Sequence, residues 1–307
     1  MHVPVLYKEV LEYLEPRSGS RFIDATVGAG GHSLGLLQGS EPDGFVLALD
    51  RDPEAIQMAR QRLKRYEDRI ALVNKSYDQM AIAARERGIE GVDGVLMDLG
   101  LSSMQLADSQ RGFSFQADGP LDMRFDTNRG RTAADIVNLA SREELILILR
   151  QYGEVTNSKQ VADAMIKARP ISTTGQLSEL LSDMSKSRTK LHPATKVFQA
   201  LRITVNDELE TLQKGLDASL EVLKIGGRLA VISFHSLEDR IVKQFIKTHS
   251  QDCICPPEYP VCVCDAAPEL RAMHRKVIRP SEEEIRNNPR SRSARMRVAL
   301  KVAEVVS

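Results

Sequence analysis

Ten residues, Asp24-Ala25-Thr26-Val27-Gly28-Ala29-Gly30-Gly31-His32-Ser33, constrain the fold of this chain more than any other stretch. The short apolar segment Arg21-Phe22-Ile23 leads into them. A second apolar segment, Phe45 to Leu49, ends in Asp50, twenty positions past Gly30. A strand, a glycine turn, a helix and a second strand closing on a carboxylate is the unit with which a parallel α/β sheet grips a nucleoside.

The same alternation continues along the chain. Residues 4–14 carry Leu6, Val10 and Leu14 on one helical stripe. Strands are expected at 21–25, 45–50, 70–74 and 92–99, the last ending in Asp98-Leu99-Gly100, with a helix at 33–38 in the first crossover. Asp52-Pro53 reads as an N-cap with proline at the first helical position. The helix that follows aligns Ile56, Ala59, Leu63 and Tyr66. This order predicts a mostly parallel sheet with helices on both faces.

From about 108 to 205 no strand pattern is evident. Helices are expected at 142–150, 158–169, 174–184 and from Pro193 onward. The long loop 109–131 contains Arg111-Gly112-Phe113-Ser114-Phe115, and a long loop within a compact chain is more often functional than idle. The α/β pattern then resumes with a helix at 207–223, a glycine C-cap at Gly226-Gly227, a strand at 228–234, a helix at 237–248 and a terminal strand at 294–302. The expected organisation is therefore a first α/β part at 1–107, a helical insert at 108–205 and a second α/β part at 206–307.

Charge narrows the partner. Lys plus Arg and Asp plus Glu each number 42, so net charge gives no support to a polyanionic partner. Residues 271–297, however, hold nine Arg or Lys against three Glu. Such a block either faces phosphates or is a solvated basic segment. No apolar run approaches the roughly 20 residues that span a bilayer. Met1 to Glu9 also lacks the basic start and apolar core of a secretory signal, so a cytoplasmic location is expected.

The glycine loop does not fit a dinucleotide. In the frame Gly28-x-Gly30-x-x-Ser33 a serine stands where the third glycine belongs. Adjacent Gly30 and Gly31 suit a ligand without a pyrophosphate, such as S-adenosylmethionine. Asp50 would accept both ribose hydroxyls; as a plain helix cap it would bind nothing. Tyr77, just past the third strand, is placed to stack on adenine or to be buried at a helix start.

Motifs along nearly the whole chain resemble the RsmH (MraW) family of S-adenosylmethionine-dependent methyltransferases. They are His2-Val3-Pro4-Val5-Leu6, the Asp24–Ser33 loop, Asp98-Leu99-Gly100-Leu101-Ser102-Ser103, Arg111–Phe115 and Asp118–Arg124. His192–Thr195, Phe198–Arg202, Ile232–Arg240 and Asn288–Ser293 complete the set. The resemblance implies an α/β, Rossmann-like class I methyltransferase domain with an inserted all-helical substrate domain. It implies methyl transfer to N4 of a cytidine in the decoding region of 16S rRNA, with the small ribosomal subunit as partner. It carries cofactor contacts onto Gly30, Gly31, His32, Asp50, Tyr77, Asp98 and Gln105.

The chemistry asks for alignment of acceptor nitrogen, methyl and sulfur, and for a group that accepts the N–H of an amine gaining positive charge. Asp98, at a strand's carboxyl end, is the candidate acceptor, or it touches the cofactor alone. His235 is a candidate to hold the extruded base or to carry a proton; the alternative is a hydrogen-bonded loop histidine. Ser236, Glu238 and Asp239 are expected to cap the next helix, and His192 to be structural. Phe113 and Phe115 are candidates for stacking on a base or for anchoring their own loop. Arg111, Arg124, Lys196 and Arg202 are candidates for phosphate contacts.

All four cysteines fall in Cys253-Ile254-Cys255 and Cys262-Val263-Cys264. Four thiols suffice for a structural tetrahedral zinc site, although the C-x-C spacing departs from the usual C-x₂-C knuckle; the alternative is a reduced cysteine-rich loop. Two other functions remain open at this stage. A nucleotide-dependent oxidoreductase would bind NAD, against which the missing third glycine counts. A non-catalytic ribosome-assembly RNA-binding protein would keep the fold without turnover.

Overall fold

The computed structural model describes residues 4–184, 192–253, 255, 264 and 267–303. The chain divides into two compact units, one formed by Met1–Gly100 with Thr211–Ser307, the other by Leu101–Glu210.

In the first unit the elements are α1 (Tyr7–Leu14), β1 (Arg21–Asp24), α2 (Gly31–Gly39), β2 (Phe45–Asp50), α3 (Pro53–Arg62), β3 (Ile70–Asn74), α4 (Met80–Arg85) and β4 (Val92–Asp98). In the helical unit come α5 (Ser103–Ala107), α6 (Ala133–Leu139), α7 (Arg142–Gln151), α8 (Ser158–Lys167), α9 (Thr174–Asp183) and α10 (Ala194–Asn206). Then follow α11 (Glu208–Val222), β5 (Leu223–Ser233), α12 (Ser236–His249), β6 (Leu270–Ala272), α13 (Glu282–Asn287) and β7 (Arg295–Lys301).

Among the described residues the strands form one sheet in the order β3-β2-β1-β4-β5-β7-β6. The first five are parallel, and β7 runs antiparallel between β5 and β6. This is the Rossmann-like α/β arrangement expected from the sequence. Its strands are apolar on both faces, as a sheet sandwiched between helices requires. Ile23, Leu47, Val95 and Val231 enter one core layer. Their chain neighbours Phe22, Val46, Leu96 and Ala230 enter the other. The chain winds outward from β1 to β3 and then returns to β4, so the crevice between the carboxyl ends of β1 and β4 is the topological switch point where such sheets bind ligands.

The helical unit has a separate core of Leu145, Leu149, Ala162, Met165, Leu177 and Leu201, among others. The sequence placed this insert at 108–205. The compact unit begins at Leu101 because Leu101 and Leu106 pack against that helical core. The long loop is tied down rather than slack. Phe113, Leu121 and Met123 are buried in the core. Met123 N–H donates to the carbonyl of Arg111, and the Asn206 side chain bonds Phe125 N–H and Met123 C=O.

One expected feature is corrected. Gly226-Gly227 is not a helix C-cap: α11 ends at Val222 and β5 starts at once. The residues around Gly226 (φ +83°) bulge out where the register jumps from Val92↔Leu223 to Gly94↔Arg228. A glycine with positive φ serves a bulge as well as a cap.

Candidate functional site

The site is built from strand ends. β1 delivers Asp24, which is 1 % exposed. Its carboxylate accepts from Ser33 Oγ (2.6 Å) and from Thr26 N–H (3.2 Å). Burial pushes its pKa upward. Ser33 is therefore no failed glycine; it ties the first turn of α2 to the end of β1. Thr26 Oγ1 in turn accepts the N–H of Asp98 (2.7 Å), fixing β4's end beside the glycine turn.

The turn itself needs glycine for reasons that differ from position to position. Gly30 has φ +77°, and a Cβ there would meet Leu63. A Cβ on Gly31 would run into the Pro4 ring. These two are demanded by packing against the protein. Gly28 has φ +49° with open space beside it, so its demand is conformational.

Asp50 closes β2 and is held rigidly. Oδ2 accepts from Gly28 N–H and Oδ1 from Asp52 N–H, both at 2.9 Å. Each oxygen keeps a lone pair for a further donor. Burial pushes this carboxyl up to about 6. The helix cap is its neighbour Asp52, whose side chain accepts from Glu54 N–H; capping therefore does not account for Asp50.

Buried polar atoms without partners cluster at this edge. His32, 6 % exposed, has neither ring nitrogen hydrogen-bonded. Its Nε2 lies 3.6 Å from Asp98 Oδ2, and its ring stacks at 6.1 Å on Tyr7. Asp98 Oδ1 is buried and unbonded. Beyond β3, Ser76 Oγ and Asp78 Oδ1 are in the same condition. They flank Tyr77, whose ring packs over Gly215 of α11. Buried polar atoms are nearly always satisfied, so several unsatisfied ones together mark where a polar ligand completes the structure. Sequence reading singled out His32, Tyr77 and Asp98. It missed Ser76 and Asp78, which sit in an unremarkable Ser-Tyr-Asp and are distinguished by burial alone.

Other expected site residues are otherwise employed. His235 is the N-cap of α12: Nδ1 accepts from Glu238 N–H (3.4 Å), while Glu238 Oε2 accepts from the N–H groups of Phe234 and His235. Its Nε2 lies 3.1 Å from Glu238 Oε1. Asp239 does not cap; it pairs with Arg295 and Arg297 on β7. Gln105, in the helical unit, is buried and forms a capping box with Ser102 at the start of α5.

The aromatic and cationic candidates of the helical unit are anchors. Phe113 stacks on Phe125 (5.3 Å), and Phe115 on His192 (4.6 Å) and edge-on to Phe198. Arg111 is buried and donates to the carbonyls of Arg124 and Phe125. Arg124 binds Asp122 and Arg202 binds Glu208, each bidentately, and Lys196 donates to the Glu154 carbonyl. His192 Nδ1 accepts from Ala194 N–H, the structural role expected.

In the basic block Arg295 and Arg297 are neutralised by Asp239, while Arg271, Arg275, Lys276, Arg279, Arg286 and Arg292 are exposed. Ile278 bridges Met296, which pairs with Ile232 near the carboxyl end of β5. Glu284 accepts Leu6 N–H. The block thus borders the sheet edge that carries the crevice. Of the cysteines, Cys253, Cys255 and Cys264 have sulfurs within 4.8 Å of one another, and Cys262 lies outside the described residues. No helix among the described residues is long and apolar enough to cross a membrane.

Comparison with known proteins adds to this geometry. The family model described as "MraW methylase family" matches residues 1–302. The ribosomal RNA small subunit methyltransferase H of Thermomicrobium roseum is 51 % identical over 306 residues, covering 98 % of this chain and 94 % of its own. The protein of the same name from Syntrophotalea carbinolica is 49 % identical over 302 residues, covering 96 % of each. Among solved structures, a putative rRNA methylase from Clostridium thermocellum covers 99 % of this chain and 100 % of its own, with a TM-score of 0.48 at 12 % identity.

Proposed function

The chain belongs to the MraW methylase family, and from that premise we propose that it methylates N4 of a cytidine in the decoding region of 16S rRNA, using S-adenosylmethionine. The observation that carries the reading is the set of unspent polar atoms on His32, Ser76, Asp78 and Asp98, gathered with Asp50 around the switch point of the sheet. The donor's chemistry fits them: two ribose hydroxyls, an adenine with a polar edge, and an amino-acid end that carries an amine. When bound, it supplies an electrophilic methyl group on a sulfonium.

The chain's own residues then have defined tasks. Asp50, oriented by Gly28 and Asp52, accepts the ribose hydroxyls. Tyr77 supplies the stacking surface for adenine, with Asp78 Oδ1 and Ser76 Oγ as partners for its polar edge. Gly30 and Gly31 hold the turn close, and His32 lines its floor with two nitrogens to spare. Gln105 is assigned to the donor side through the family resemblance alone.

Asp98 faces the reacting centre. The cytidine amine is a weak nucleophile because its lone pair is delocalised into the ring, and it gains positive charge as the N–C bond forms and the S–C bond breaks. Asp98 accepts its N–H and so stabilises that charge, an effect worth about 10²–10³ in rate when one such contact is removed elsewhere. His235 acts as a positioning residue through the turn it caps. The helical unit is assigned to substrate recognition, and the exposed cations of 271–292 to RNA phosphates. Methyl transfer to an amine needs no metal, and the cysteines take no part in it.

The test is direct. Purified protein is incubated with labelled donor and small ribosomal subunits from a strain lacking the activity, and the RNA is digested to nucleosides. Labelled N4-methylcytidine is expected. Label in another nucleoside overturns the N4 assignment, and no label favours an assembly factor without turnover.

A further inference from the structure

The loop between α12 and β6 holds every cysteine of the chain, at positions 253, 255, 262 and 264. Its ends are already pinned: His249 pairs with Glu269 at 2.5 Å, and Glu269 N–H donates to the carbonyl of His249. Within it, Cys253, Cys255 and Cys264 are half-buried rather than part of a core. Packing alone therefore gives no reason for three thiols to converge.

The sulfur separations identify what does. Cys253 Sγ and Cys264 Sγ are 3.9 Å apart. A disulfide requires about 2.05 Å. Two thiolates bound to one tetrahedral zinc at about 2.3 Å stand about 3.8 Å from each other, the edge of that tetrahedron. The third sulfur, Cys255, lies within 4.8 Å of both. A soft all-sulfur donor set with this spacing selects zinc over the hard cations.

We propose that Cys253, Cys255 and Cys264 bind one Zn²⁺, which closes the loop between α12 and β6. The site is structural. An all-thiolate set holds zinc without activating water for chemistry, and transfer to an amine does not call for it. Binding replaces three thiol protons by one metal ion, so its affinity rises with pH while the thiols titrate. The three sulfurs make three corners of the tetrahedron and leave the fourth to a further ligand.

The experiment uses the full chain purified without chelators. Elemental analysis is expected to find about one zinc per chain in the parent protein and a small fraction of that in C253S/C264S. Metal-stripped parent protein titrated with Co²⁺ is expected to develop the thiolate-to-cobalt charge-transfer absorption of a tetrahedral sulfur site. That readout is independent of whether the double variant folds. Donor-product binding by calorimetry is expected to be unchanged in C253S/C264S, which separates this proposal from the methyltransferase reading. Parent protein lacking stoichiometric zinc and giving no cobalt–thiolate absorption overturns the site. So does a C253S/C264S chain that keeps its zinc.

Discussion

The carboxyl edge of the sheet and the helical unit treat their polar groups in opposite ways. In the helical unit Arg124, Lys196 and Arg202 are all spent on partners within the unit, and the long loop is closed over Phe113, Leu121 and Met123. At the sheet edge both nitrogens of His32, one oxygen of Asp98, Ser76 Oγ and Asp78 Oδ1 are buried and unbonded. Leaving such atoms unpaired costs about 1–3 kcal/mol each, which a region shaped by stability alone would not tolerate. The contrast teaches that charge and aromaticity are poor guides to a site, whereas unsatisfied burial is a good one.

Substitutions on the two sides should separate cleanly. The largest effect is expected inside the helical unit. Phe113→Ala, at a site 6 % exposed, is expected to cost about 3–5 kcal/mol of unfolding free energy in denaturant titration. RNA affinity of the folded fraction should not change. Lost RNA affinity at unchanged stability would instead restore Phe113 as a stacking residue.

Next comes Asp98→Asn, expected to lower kcat about 10²–10³-fold while leaving donor binding nearly intact. Loss of donor affinity in step with kcat would make Asp98 a cofactor contact only. Asp50→Ala follows. Removing charge-assisted bonds worth about 1.5–3 kcal/mol each should weaken donor binding by tenfold or more, read by calorimetry.

Asp50 also sets a pH dependence. Its carboxyl sits near 6 in the folded chain against an ordinary 3.8. The folded state holds this proton more tightly than the unfolded chain. Its ionisation therefore erodes stability as pH rises from about 3.8 and stops doing so above about 6. Donor binding runs the other way, because an ionised Asp50 is the better acceptor. Affinity should fall as pH drops through about 6 and be flat in Asp50→Ala. The smallest effect is expected from Arg275→Ala with Lys276→Ala. Each lost phosphate contact should reduce the slope of log affinity against log salt by about 0.7–0.9.

Much of this was legible in the sequence, for physical reasons. Strands 45–50 and 70–74 coincide with β2 and β3 because their apolar runs are bounded by turn and cap residues. Asp52-Pro53 opened α3 as expected. Three-residue β6 is too short to show a period, and no strand was expected there. Gly226 was ambiguous because one positive φ serves a cap and a bulge alike. Arg295 and Arg297 looked like phosphate ligands because Asp239 is 56 and 58 residues away in sequence. Asp50 and Asp98 were legible as strand-end carboxylates. Ser76 and Asp78 were not, since only three-dimensional burial sets them apart.

The most direct test of the central claim is a crystal structure of the protein with S-adenosylhomocysteine. The account predicts that the ribose hydroxyls lie on the Asp50 carboxylate, the adenine against Tyr77, and the amino-acid end near His32 and Asp98. A ligand bound elsewhere, with His32 and Asp98 still unpartnered, would contradict it.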